Sequence, residues 1–165
     1  MTRSETSATS PLPAAARGYQ GRRAGVVTRL VADVVDGLVV LVIVALIYAF
    51  VTGFVFLLHP HSFRFPSGFG WSIPVIGFAV AAPYLALGWH TTGRTYGDVL
   101  LGLRVVDNAG RRLGLITSLL RAVFCVAFPI GVLWVAVSST NRSVQDVVLR
   151  TSVLYDWRPE ASLIG

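Results

Sequence analysis

Uncharged apolar stretches alternate with short polar stretches along this chain, and the longest apolar one, Gly37–Leu58, runs for 22 positions without a charge. About 20 apolar residues cross a bilayer core as a helix. The pattern predicts a first membrane helix over Val26–Leu58, long enough that its first two turns lie in the headgroup zone or the helix tilts. His59–Gly70 reads as a loop with two prolines, and Trp71 and Trp89 bracket the next run as an interfacial aromatic belt would. Trp71–His90 is the second predicted span, with Pro74 tolerated in its first turn and Pro83 predicting a kink.

Thr91–Gly114 is polar and rich in glycine and arginine. Within it, Val99–Leu103 predicts a short amphipathic turn, Leu103–Asp107 a short strand, and Asn108-Ala109-Gly110 a turn. A third apolar run, Leu115–Val137, is interrupted by Arg121 and by Pro129-Ile130-Gly131, and Arg150–Tyr155 again looks strand-like. Met1–Gly25 lacks any hydrophobic period and reads as a disordered leader. It is no signal peptide, because the apolar run behind it is too long and no small-residue cleavage site follows. The domain plan is a leader over 1–25, a membrane domain over 26–156 and a tail over 157–165.

Arginine placement orients the helices. Arg3, Arg17, Arg22 and Arg23 lie in the leader, Arg64 alone in the first loop, and Arg94, Arg104, Arg111 and Arg112 in the second. The N-terminus and second loop are therefore expected in the cytoplasm. The third run has two readings. One span of 23 residues leaves Arg142, Arg150 and Arg158 outside, against that rule. A hairpin broken at Pro129–Gly131 returns to the cytoplasmic side, which is permitted where protein covers it, and lets the two strands pair. The expected fold class is thus an all-α integral membrane protein of two spanning helices, a third apolar segment of either kind, and a short cytoplasmic strand-like element.

Composition agrees. Of 165 residues 54% are hydrophobic and 13% charged, against about 25% charged in soluble domains. The net charge of +6 comes from 14 arginines and no lysine, and they flank the apolar runs, so nucleic-acid binding is not expected. Cys125 is the single cysteine and forms no disulfide or cysteine-based metal site. The expected partners are the lipid bilayer and a second copy or another membrane protein; the expected location is a bacterial plasma membrane.

Charge within the apolar runs carries the candidate chemistry. Arg29, Asp33 and Asp36 share one helix face within about 60°, which suggests an intramembrane ion pair. Arg121 enters from the same side, about 9 Å past Leu115 on a helix, so pairing with Asp36 is open to it. Solvation at the interface, a structural buried pair and a coupling site are all compatible with this spacing.

Three stretches, taken together, resemble the RDD family of membrane proteins. They are Arg29-x-x-Ala32-x-x-x-Asp36; Thr92-Gly93-Arg94-Thr95-Tyr96-Gly97 with Gly102-Leu103-Arg104-Val105-Val106-Asp107 and Gly110; and Arg121 with Arg142-x-x-x-Asp146 and Thr151–Leu154. The resemblance spans about Val26–Asp156. It implies Arg29 as the family's arginine, Asp36 and Asp146 as its aspartates, and Gly93, Thr95, Gly97, Gly102 and Arg104 as motif-turn positions. Asp33 is not a family position, and Asp98 stands where the family usually has lysine. Transport of unidentified ligands has been proposed for the family, and some members are linked to sodium–proton exchange.

Gly93-x-Thr95-x-Gly97 lacks the Gly-Lys-Ser/Thr ending of a nucleotide loop and reads as a tight turn. His59 and His61 lack carboxylate or cysteine company for a metal. The serines around Ser138–Thr140 have no partner histidine, so no triad can be assembled, and neither an enzyme nor a cofactor is expected. The expected function is transport or cation–proton exchange using Arg29, Asp36, Arg121, Arg142 and Asp146; the alternative is a membrane scaffold or accessory subunit.

Overall fold

The computed structural model describes residues 21–65, 70, 72–128 and 143–156. Its order is α1 (Val26–Leu58), α2 (Ser72–Thr91), α3 (Tyr96–Leu100), β1 (Leu103–Asp107), α4 (Leu115–Ala127), α5 (Val144–Val148) and β2 (Thr151–Tyr155). α1 and α2 are long and apolar enough to cross a membrane.

α1 turns a narrow stripe inward. Only Arg29, Ala32 and Asp36 are buried along it, three and four residues apart as one helix face requires. Its other faces are outward and, Asp33 apart, mostly apolar, with Phe50 74% exposed and Leu46 64%. Side chains so large and so exposed call for an apolar surrounding. α2 and α4 pack closely against one another. Ala82 and Ala86 of α2 and Ser118 and Ala122 of α4 are small enough to permit that approach.

α3 and α5 start alike because each begins with a hydroxyl cap answered by an aspartate three residues on. Thr95 caps α3 with Asp98, and Ser143 caps α5 with Asp146, each as a reciprocal capping box. That box moves the expected Val99–Leu103 turn back to Tyr96–Leu100, since the cap at Thr95 starts the helix earlier than the apolar pattern suggests.

β1 and β2 pair antiparallel, with Val105 opposite Val153. Residues 21–24 run along the other edge of β2: Gly21 N donates to Tyr155 O, Tyr155 N to Arg22 O at 2.9 Å, and Ala24 N to Val153 O. The leader expected over Met1–Gly25 therefore gives its last residues to the fold, because the outer edge of β2 offers them backbone partners. Leu103, Val105, Val153 and Leu113 form the core at this end with Ala32, Trp89 and Ala122.

The strand pair constrains the two flanks of the third apolar run. A single span would part Leu115 from Thr151 by a bilayer's thickness, whereas β2 lies against β1 and Asp146 lies against Arg121. The two flanks of that run are thus at one end of the molecule. The proposed break at Pro129–Gly131, Trp71, Arg142, Ser138–Thr140 and the tail lie outside the described residues.

Candidate functional site

The inward charges converge where α1, α2 and α4 meet the strand pair. Arg29 turns its guanidinium to Asp146, not to Asp36, and Arg121 does the same. Asp146 has no exposed surface, and both arginines are about 95% buried. Thr151 joins through its hydroxyl, which is held by Arg121 and lies 3.2 Å from Asp146 Oδ1. Burial alone would raise the Asp146 carboxyl, but Arg121 and Arg29 overrule it and hold it well below the usual carboxylate range. The expected pairing of Asp36 with Arg29 or Arg121 is corrected here. Sharing a helix face sets direction only, and Asp146 reaches both guanidiniums first through its place in the capping turn.

Asp36 binds neutral donors instead. Its Oδ1 accepts Tyr84 Oη at 2.8 Å and Gly97 N at 2.8 Å, and its Oδ2 accepts the Thr95 hydroxyl. One carboxylate so ties α1 to α2 and to the turn that opens α3. Hydrogen bonds to a charged group contribute about 1.5–3 kcal/mol each, so Asp36 is a structural lock. Gly97 permits the approach: a Cβ there would run into the Ala32 backbone and lie 3.0 Å from Asp36 Cγ.

The other motif-turn residues build the same corner. Gly93 O accepts Val105 N at 2.8 Å, Thr95 is the cap of α3, and Gly102 takes a left-handed φ of 62° before β1. Arg104, with Arg94, is paired to Asp156. Arg142 lies outside the described residues.

Two further acids, Asp98 and Asp33, lie outside the family's aspartate positions. Asp98, at the position where lysine is usual, accepts from Trp89 Nε1 at 3.0 Å and from Thr95 N at 3.1 Å. Burial raises its carboxyl, against those hydrogen bonds, and the charge of Asp36 adds to the rise. The Thr95-x-x-Asp98 and Ser143-x-x-Asp146 spacing was the available signal for both buried acids. The Asp33 side chain has no ion pair or hydrogen bond among the described residues and opens on two voids. One is a groove of about 360 Å³ between α1, α2 and α4, bordered by Asp33, Asp36, Ala81, Leu85 and Cys125. The other is a cavity of about 30 Å³, lined by Asp33, Asp98, Trp89, Arg121, Cys125 and Ser143 among others.

No curated protein and no solved structure matches the chain. The family model described as RDD family matches residues 23–150, most of the 165 and including Arg29, Asp36, Arg121 and Asp146, and the chain belongs to the RDD family.

Proposed function

We propose that this protein is a multi-pass protein of the bacterial plasma membrane that exchanges a cation for a proton through the groove between α1, α2 and α4. One observation carries the reading: two carboxylates, Asp33 and Asp36, stand on an otherwise apolar wall around about 360 Å³. Ionisable groups among spanning helices are costly and mark ion paths when they line a cavity. Asp36 is committed to Tyr84, Thr95 and Gly97, so Asp33 is the carboxylate that loads and releases the ion. The arginine-rich end faces the cytoplasm, following the positive-inside rule. So short a bundle encloses no complete path, and the exchanger works as a homo-oligomer.

In proteoliposomes, folded protein is expected to give cation-dependent proton flux, and Asp33→Asn to abolish it. Flux absent from folded wild type, or intact in Asp33→Asn, would overturn the reading. A second reading, a non-transporting scaffold, is favoured by the burial of the Arg29–Asp146–Arg121 cluster, in which one carboxylate holds two guanidiniums. It predicts folded protein, no flux, and co-purification of a membrane partner.

A further inference from the structure

Asp33, exposed at the surface of α1, borders both the groove and the small cavity, and the buried Asp98 also borders the cavity. A space of about 30 Å³ admits one water and little else. Among the described residues the surrounding charge is unbalanced. Both nearby guanidiniums, Arg29 and Arg121, are paired with Asp146, and Asp36 and Asp98 have only neutral donors. Asp98 makes both of its side-chain acceptor bonds through Oδ2. Arg121 Nε is buried without a hydrogen-bond partner beside the same cavity. Two carboxyls facing one water-sized space do not both ionise readily.

We propose that Asp33 and Asp98 hold one exchangeable proton between them across this cavity, so that Asp33 passes protons from the groove to the interior. The step conserves atoms and charge: the Asp33 carboxyl gives its proton to a bridging water, which gives one of its own to the Asp98 carboxylate. The groups that set this equilibrium are Arg29 and Asp36 on α1, Tyr84 on α2, Arg121 and Cys125 on α4, and Asp146 on α5. Trp89 reports it directly, since its indole N–H donates to Asp98 and its ring lies 4.9 Å from the Arg121 guanidinium. The relay rests on the same acidic groove as the exchange reading, but an equilibrium titration needs no flux and separates the two.

The test uses the full chain in lipid nanodiscs with Trp71, Trp134 and Trp157 changed to Phe, so that Trp89 alone emits. Its fluorescence is titrated from about pH 4 to about pH 9, with infrared detection of the protonated carboxyl in parallel. Expected is a single-proton step above the ordinary carboxylate value of about 4. Asp98→Asn is expected to remove it, and Asp33→Asn to lower its midpoint by about one unit or more. The Asp33 side chain makes no hydrogen bond among the described residues, so Asp33→Asn remains informative should Asp98→Asn misfold. A folded wild type without the step, or a step unmoved by Asp33→Asn, overturns the proposal. A titration of the expected form without proteoliposome flux would uphold this proton site while the exchange reading fails.

Discussion

At the scale of single residues, Asp146 is the keystone and Arg29 shows why the sequence conceals it. Arg29, Asp36, Arg121 and Asp146 are each visible as charges in or beside apolar runs, yet their pairing depends on where a distant capping turn lands. Helix periodicity puts Arg29 and Asp36 on one face, but it does not place Asp146 against that face. Removing the carboxylate leaves two buried guanidiniums facing each other, and breaking a buried pair of this kind costs about 3–5 kcal/mol. Asp146→Asn is therefore expected to lower the unfolding temperature sharply in detergent at neutral pH. The pH dependence has a definite sign. The folded carboxyl lies below its unfolded value, so its stabilisation is present above about pH 4 and is lost as pH falls through the depressed folded value. Wild type should lose stability in acid below about pH 4, whereas Asp146→Asn should be missing this component of the loss. An acid profile of equal steepness in both would assign the stability to other groups.

At the scale of elements, the molecule contains the same unit twice. Thr95, Asp98, Leu101, Gly102 and Val105 correspond in order to Ser143, Asp146, Leu149, Arg150 and Val153: cap, boxed acid, helix end, left-handed residue, strand. Val105 pairs with Val153, its own counterpart, so the strands meet about a local two-fold axis. The strands were legible from their β-branched runs, and α1 from its apolar length. The start of α3 was not, because five residues carry too little periodicity and only the cap reveals them. The two left-handed positions give a paired prediction. Gly102 has φ of 62° and Arg150 has φ of 53°, a region that costs a residue with a Cβ about 1–2 kcal/mol. Gly102→Ala should destabilise by about 1 kcal/mol, and Arg150→Gly, at an exposed side chain, should be neutral or stabilise by up to about 1 kcal/mol. Thermal unfolding in one detergent compares them, and a loss in Arg150→Gly equal to that in Gly102→Ala would mean that the Arg150 side chain, not its backbone, matters.

At the scale of the whole molecule, the arrangement closes on itself at one end. Residues 21–24 lie beside β2, β2 lies beside β1, and Asp146 lies beside Arg29 and Arg121. The segment before α1, the connection between α2 and α4, and the segment after α5 therefore meet at one end of the molecule. Arginine counts foresaw this for the first two segments; for the third they left a contest between span and hairpin, because an apolar run has the same composition whether it crosses once or returns. Backbone pairing supplies what composition lacks, since hydrogen bonds between β1 and β2 cannot form across a hydrocarbon core of about 30 Å. Reporter fusions at Met1 and at Gly165 are thus expected to fall on the same side, and the positive-inside rule predicts the cytoplasm for that side. A reporter active only in the cytoplasm should work at both positions, and one active only outside should work at neither. If Gly165 alone proved external, the β1–β2 pairing and the Arg29–Asp146 pair would both have to break in the membrane.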